Sequence, residues 1–179
     1  MKLNRKASLV ALPAVILMIQ AALPSQALAG STRSPVAQWN VQVDKIEPSN
    51  VNIGPAFRVA IYENLLKELA KTKQFEKVLR YGDRNANGFP DLLILKTTVE
   101  EYTEGSETRR AITTISGATK IKVRSQLCTR EGQIVLEREF NGNVRFLGGS
   151  NLKATHNLAH NVAKAIKHSK LPEPTPSAS

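Results

Sequence analysis

Oxygen-bearing side chains alternate along a short polar segment near the middle of the chain. They are Asp83, Asn85, Asn87 and Asp91. Alternating oxygens that converge around a sharp glycine turn, here at Gly88, are typical of the opening of a calcium loop. The twelfth position of such a loop is Ile94, where a bidentate glutamate belongs. The segment therefore predicts either a calcium site or, as the alternative we favour, an Asn/Gly turn that leads into a strand.

Two histidines, His156 and His160, are four residues apart in a segment of helical periodicity. This spacing places both imidazoles on one side of a helix, as zinc ligands would be. In metalloproteases of this pattern a glutamate follows the first histidine and activates water, but here that position is Asn157. Lys164 and Lys167 lie close by and disfavour a bound cation. We expect a solvated helix face and keep a metal-dependent hydrolase as the less favoured alternative.

A row of basic residues occupies alternate positions of one predicted strand: Lys120, Lys122 and Arg124. On an open sheet face such a row is a candidate strip for contact with an anion or a partner. Two glutamates, Glu137 and Glu139, are predicted opposite it, so a ladder of salt bridges is the favoured alternative. The neighbouring pair Arg109 and Arg110 has no predicted acidic partner and is the better basic contact site.

The chain shows no arrangement typical of covalent catalysis. It contains no Gly-x-Ser-x-Gly sequence, and its single cysteine, Cys128, ends a predicted strand with no histidine predicted beside it. We therefore predict a protein that is not an enzyme, with no catalytic residue and no cofactor. A lone cysteine also excludes an internal disulfide.

The first 29 residues have the pattern of a secretory signal peptide. Three basic residues precede an apolar run over residues 9–23, and Ala27-Leu28-Ala29 then offers small residues for cleavage before Gly30. The run is shorter than a membrane-spanning helix needs, so an uncleaved anchor is the minor alternative. No cysteine stands at the cleavage point to accept a lipid. We predict a periplasmic or secreted protein with no membrane span after cleavage.

Removing this leader lowers the formal net charge from +10 to +7 and leaves about 150 residues, enough for one core. The positive excess favours anionic surfaces without naming a specific one. Residues 30–38 are polar and predict a flexible arm, and residues 171–179, rich in proline, predict a disordered tail. A single α+β domain is expected over residues 39–170.

The hydrophobic periodicity predicts the elements that must position these side chains. Strands are expected at 39–46, 75–81, 91–102, 108–115, 119–128 and 133–140, and helices at 55–72 and 151–167. The last four strands form an antiparallel meander. The predicted fold is a two-layer α+β domain, a mainly antiparallel sheet with both helices packed on one face.

The last hairpin can be checked by its register. If residues 129–132 form the loop, opposite charges meet on one face and apolar side chains on the other. The predicted pairs are Arg124 with Glu137, Lys122 with Glu139, Leu127 with Ile134, and Ile121 with Phe140. The charged face of the sheet is therefore expected to lie in water.

Together these segments resemble a known family over about residues 41–167. The matching positions are Leu69 with Phe75-Glu76-Lys77-Val78, Pro90-Asp91-Leu92-Leu93-Ile94-Leu95, Val99 with Gly105-Ser106, Gly117, Gly132-Gln133-Ile134-Val135-Leu136, and Leu152 with Leu158-Ala159. They resemble the bacterial domain-of-unknown-function family 4410. This family is similar in outline to the α+β domains of envelope lipoproteins of curli secretion and of the Tol-Pal translocation protein.

The resemblance implies an accessory or scaffolding role at the cell envelope and supplies no catalytic residue. We therefore expect a domain that binds another envelope protein through its open sheet face or a sheet edge. A binding module for an anionic envelope polymer or lipid is the first alternative, and the metal-dependent hydrolase is the second. No nucleic acid partner is expected.

Overall fold

The computed structural model of the chain describes residues 38–106, 118–144 and 150–174. The predicted signal peptide, the predicted strand 108–115, and the basic pair Arg109 and Arg110 lie outside the described residues. So do residues 30–37 of the predicted arm and residues 175–179 of the predicted tail.

The described elements follow the predicted order. They are β1 (Asn40–Pro48), α1 (Pro55–Thr72), β2 (Val78–Leu79), a 3₁₀ turn (Arg84–Gly88), β3 (Leu92–Thr103), β4 (Thr119–Thr129), β5 (Ile134–Val144) and α2 (Lys153–Lys167). The bounds of α1 match the prediction because its apolar stripe is bracketed by Pro55, suited to a first helical turn, and by the left-handed Lys73 just past its end.

The five strands form one sheet in the order β2-β1-β3-β4-β5. β1 is parallel to β2 and β3, while the two longer ladders, β3 with β4 and β4 with β5, are antiparallel. The α+β fold class is confirmed. The order within the meander differs from the prediction, because β3 pairs directly with β4 and leaves no place for a strand between them.

Both helices cover one face of this sheet, where the core lies. From α1 the residues Ile61, Leu65 and Leu69 are fully buried, and from α2 so are Leu158 and Val162. They contact the inward side chains of the strands, which include Val41, Val43, Leu93, Leu95, Ile121, Val123 and Leu127. The alternation of apolar and polar residues along each strand therefore leaves the opposite face polar.

The register of the last hairpin differs from the prediction by two residues. Arg124 lies opposite Glu139 and Leu127 opposite Leu136. One residue of the shift comes from the irregularity at Leu127 and Cys128, and the other from the loop, which is one residue shorter than predicted because Thr129 is hydrogen-bonded to Gln133.

A shift by two keeps the side chains beyond the irregularity on their predicted faces, since strand side chains alternate with a period of two. The predicted cross-strand partners were wrong, although Lys122 and Glu139 still form an ion pair. The charged face was predicted correctly, but Ile134, predicted on the apolar face, lies opposite Cys128 and is 50% exposed.

Helix α2 lies against the outer part of β5. Asn157 and Asn161 donate side-chain hydrogen bonds to the carbonyl oxygens of Asn143 and Asn141, at 3.0 and 3.2 Å. Four residues of helix and two residues of strand both advance about 6 Å, so the two asparagines match alternate strand carbonyls. The helix approaches so closely that a Cβ placed on Gly142 would lie 2.3 Å from the carbonyl oxygen of Ala154.

The domain continues into the segment predicted as the tail. Leu171 is partly buried against the core, and the indole nitrogen of Trp39 donates to the carbonyl oxygen of Pro172 at 2.7 Å. These contacts join the residue that precedes β1 to the segment that follows α2.

Candidate functional site

The basic row on β4 lies on the open sheet face among carboxylates. Lys122 contacts Glu139 at 3.0 Å and Glu100 at 3.4 Å, and Arg124 contacts Glu100 at 2.7 Å. The hydrogen bond from Lys122 holds the pKa of Glu139 below its ordinary value, and Glu139 in turn raises the pKa of Lys122. Lys122 and Arg124 are thus neutralised within the sheet face, as the salt-bridge alternative predicted for these two residues.

Glu100 was missed by the sequence analysis. A β-bulge in β3 between Val99 and Glu101 inserts it and directs its carboxylate toward both Lys122 and Arg124. Lys120 lies opposite Asn143 in the ladder and takes part in no ion pair within the described part of the chain. A strip with its charges already paired has little capacity for an external anion.

The residues of the candidate calcium loop form a 3₁₀ turn instead of a converging set of oxygens. The carboxylate of Asp83 accepts a hydrogen bond from the backbone N–H of Asn85 at 2.9 Å, which caps the turn. The guanidinium of Arg130 donates to the carbonyl oxygens of Ala86 at 2.6 Å and Phe89 at 3.0 Å. Because the Phe89 carbonyl is the seventh-position ligand of a calcium loop, the arginine already occupies that place with positive charge.

The backbone carbonyl oxygens of two further residues of that candidate site are also engaged. The carbonyl oxygen of Asn87 accepts from Arg130 at 3.4 Å, and that of Asp91 accepts from the backbone N–H of Asn40 at 2.8 Å. In the ranges that the structure describes, no group of three His, Cys, Asp or Glu side chains is placed to hold a metal ion. The geometry therefore favours the turn that the sequence analysis gave as the alternative.

The two histidines of α2 meet a buried carboxylate from α1. Nδ1 of His160 lies 3.3 Å from Glu68 and Nδ1 of His156 lies 3.8 Å from it, while Lys71 contacts the same carboxylate at 2.5 Å. Glu68 is 5% exposed. The histidines are thus partly solvated, but they are held by a residue that the sequence analysis did not single out. Its position three residues after Leu65, within the apolar stripe of α1, was the available signal.

The environment of Glu68 has opposing effects on its ionisation. Burial acts to raise its pKa, but the hydrogen bonds from Lys71 and His160 and the charges around it outweigh burial and lower the pKa below its ordinary value. The carboxylate is therefore ionised in the folded protein. It acts as a polar link between the two helices, and a second link joins Asn64 to Thr155 at 2.9 Å.

A groove that no sequence pattern indicated opens between the start of α1, the end of β1 and the residue that follows β2. Its volume is about 390 Å³, and Val59, Tyr62 and Tyr81 form much of its wall. Lys45 and Arg58 bring positive charge to it and Glu47 brings negative charge. Residues this far apart in the sequence are brought together only by the parallel pairing of β1 with β2.

Comparisons with known proteins identify the fold and nothing finer. No protein-family model matches the chain, and no curated protein matches it. A PelC dodecamer from Paraburkholderia phytofirmans is 16% identical, with 70% of this chain and 86% of that chain covered and a TM-score of 0.51. The hypothetical protein CT253 from Chlamydia trachomatis is 8% identical, with 73% and 96% covered and a TM-score of 0.52. The resemblance to family 4410 stays a prediction.

The described helices differ from membrane-spanning helices, which need about 20 mainly apolar residues. None of them is long and apolar enough to cross a membrane.

Proposed function

We propose that the chain is an exported, non-enzymatic accessory domain of the bacterial cell envelope that binds an envelope protein through the outer edge of β5. The observation that carries this proposal is an uncovered strand edge. In the described ranges no strand pairs with the outer side of β5. Exposed strand edges are the places where proteins add a strand from a partner.

The uncovered part of this edge is defined by α2. Asn157 and Asn161 bind outward carbonyl oxygens only at Asn143 and Asn141. Backbone groups of alternate residues point to the same side of a strand, so the outward groups of Glu137 and Glu139 follow in the same row. Ile134, at the start of the strand, is 50% exposed. The first half of β5 therefore offers hydrogen-bonding groups with an apolar side chain beside them.

The open sheet face is a weaker candidate than the edge. Its central charges are committed to one another through Lys122, Arg124 and Glu100. A partner that displaced these pairs would have to compensate their charges again. An added strand would instead pair with backbone groups of β5 that no strand of the described ranges pairs with. Of the two surfaces that the sequence analysis predicted, the edge is the better supported.

Export and assembly have separate support. The leader pattern of residues 1–29 supports export. Among the described residues no nucleophilic side chain is paired with a general base, which supports a role in binding. A solved protein of this fold is described as a dodecamer. That description supports the idea that domains of this shape assemble with partners.

The edge is tested with a pair of substitutions at one position. Glu137→Pro removes the outward N–H of β5, while Glu137→Ala keeps it and removes the same side chain. A photo-crosslinking amino acid placed at Ile134 should trap an envelope protein in living cells. We expect the crosslinked product to persist in the alanine variant and to be lost in the proline variant. The proposal is contradicted if no envelope protein is crosslinked when Glu137 is unchanged. It is also contradicted if the alanine and proline variants give equal amounts of the crosslinked product.

A second candidate function is binding of an anionic envelope polymer or lipid. Lysines from the last turns of both helices, Lys71, Lys164 and Lys167, line a cleft of about 320 Å³. Glu68 also lines it and pairs with Lys71, so the cleft has a positive excess from the other two lysines. Retention on phosphatidylglycerol vesicles that weakens as salt is added would support this function, since exposed charges are screened within about 10 Å at 0.1 M salt. Triple replacement of these lysines by glutamine should then abolish retention, and retention that is unaffected by salt rules the function out.

A further inference from the structure

The groove beside the first turn of α1 is a formed cavity with an apolar wall. Its volume of about 390 Å³ lies within the range of about 300–1,000 Å³ usual for small-molecule sites. Val59 is 59% exposed and Tyr81 is 52% exposed, and both line this cavity. Two of the most exposed large apolar side chains of the described residues thus face the same space. An apolar surface of this kind is stabilised when a ligand covers it.

The wall is held in place without a ligand. The hydroxyl oxygen of Tyr62 accepts a hydrogen bond from the backbone N–H of Tyr81 at 2.8 Å, which fixes the end of β2 against α1. On the other side, one extra residue in β1 between Val43 and Ile46 interrupts the pairing with β3. This bulge brings Lys45 to the groove, with its ammonium 4.5 Å from the centroid of the Tyr81 ring.

Arg58 contributes a guanidinium group whose hydrogen-bonding capacity is not fully used. Its Nε is buried and has no hydrogen-bond partner among the residues that the structure describes. Buried donors without partners are rare, because each costs free energy unless something accepts from it. The other arginine of this region, Arg80, is already satisfied by a bidentate pair with Glu63 at 2.6 and 2.8 Å. Arg58 thus lines the cavity with a guanidinium that is not fully hydrogen-bonded, and a ligand in the groove would meet its terminal nitrogens, since Nε itself is closed to solvent.

The charges of the groove select a monoanion. Lys45 and Arg58 provide two positive charges and Glu47 one negative charge, so the lining carries a net charge of about +1. No ion pair joins Glu47 to Arg58 among the residues described. The first turn of α1 contains no acidic residue, so the positive end of the helix adds to this field.

We propose that this groove binds a small organic carboxylate, whose apolar body covers Val59 and Tyr81 and whose carboxylate accepts from Arg58. The planar guanidinium matches a carboxylate in geometry as well as in charge. This site goes beyond the binding role of β5, since β2 and β5 are the two opposite edges of the sheet. The two sites are therefore independent in location and in the chemistry that they recognise.

The probe for the test is phenylacetate, with phenylacetamide as the neutral molecule of the same shape. In a titration of the ¹⁵N-labelled protein followed by NMR, phenylacetate should give saturable shifts at the amides of Val59 and Tyr81. We expect phenylacetamide to bind about tenfold more weakly, since a charge-assisted hydrogen bond is lost. A third titration uses inorganic phosphate. Smaller shifts with phosphate than with phenylacetate would show that the groove recognises an organic carboxylate and does not attract every anion alike.

Two substitutions complete the test. Arg58→Gln should reduce the affinity for phenylacetate to that for the amide, whereas Lys67→Gln, on the exposed side of the same helix, should leave it unchanged. If the Arg58 variant does not fold, Val59→Asp serves as the test. It places a carboxylate on an exposed position of the groove wall and should prevent binding of phenylacetate. Absence of saturable shifts, equal affinity for acid and amide, shifts equal to those with phosphate, or binding unaffected by these changes overturns the proposal.

Discussion

The charged carboxylate of Glu68 is buried, where an unpaired charge costs free energy. Three side chains lie close enough to stabilise it. Lys71 comes from its own helix, and His156 and His160 come from α2. Removing one partner of a buried ion pair leaves the other uncompensated, which costs more than the pair itself contributes. Replacing Glu68 or one of its partners should therefore change the free energy of unfolding measurably.

The pH dependence of stability follows from the lowered pKa of Glu68. An acid whose pKa is lower in the folded state stabilises the fold above its unfolded pKa of about 4.3, and that contribution is lost as the pH falls through the folded value. We expect the free energy of unfolding, measured with urea, to fall below about pH 4.3 in the unsubstituted protein. Glu68→Gln should cost about 1–3 kcal/mol at pH 7 and flatten this decline.

The matched control for Glu68 is Glu63→Gln, on the same helix. Glu63 forms an exposed pair with Arg80, so its replacement should have a smaller effect at pH 7. Identical pH profiles for the Glu68 variant and the unsubstituted protein would show that Glu68 does not link the helices as described.

Gly142 tests how closely α2 approaches the sheet. A Cβ at this position would lie 2.3 Å from the carbonyl oxygen of Ala154 and 2.8 Å from the Cβ of Leu158. Gly142→Ala should therefore destabilise the fold by about 1–3 kcal/mol, measured by thermal unfolding. Gly88→Ala is the control, because a Cβ there meets no atom within 4 Å. An equal effect of both substitutions would contradict the contact.

At the scale of elements, the end of α1 contains a residue in an unfavourable backbone conformation. Lys73 has φ of 55°, in the left-handed region that glycine adopts without strain. Lys73→Gly should stabilise the protein by about 0.5–1 kcal/mol in urea unfolding. The same change at Lys67, inside the helix, should destabilise it by about 1 kcal/mol. Destabilisation by both would show that the helix does not end at Lys73.

The 3₁₀ turn depends on one side chain from the β4–β5 loop. Arg130 reaches three of its carbonyl oxygens, so Arg130→Ala should release the turn. We expect faster hydrogen exchange at the amides of Ala86 and Phe89 and a loss of stability of about 1–2 kcal/mol. Arg138→Ala, on the exposed part of β5, serves as the control. Unchanged exchange at those amides would argue that the turn is held by its own Asp83 cap.

Periodicity was enough to predict most elements, but not their pairing. Helices and strands could be placed because each repeats its apolar side chains at a fixed spacing, as Ile61, Leu65 and Leu69 do. Pairing depends on bulges such as those beside Leu127 and Val99, and a bulge has no sequence signal of its own in this chain. That is why the faces of β4 and most of β5 were predicted correctly, while the partners were shifted by two residues and Ile134, beyond the bulge, was placed on the wrong face.

At the scale of the whole molecule, the missed sites share a cause. Glu68 and the histidines lie about ninety residues apart, and the groove unites residues of β1, α1 and the end of β2. No local pattern connects such residues, because their contact is created by tertiary packing. The predicted ladder of charges was found because its two strands are neighbours in the sequence and are joined by a short loop.

The bond between Trp39 and Pro172 has a practical consequence. The chain contains one tryptophan, so its fluorescence reports whether the segment before β1 and the segment after α2 are in contact. Because Trp39 and Pro172 lie side by side, the two ends of the described domain meet there. A circularly permuted version could therefore be sealed there by a short connector and opened at a distant loop.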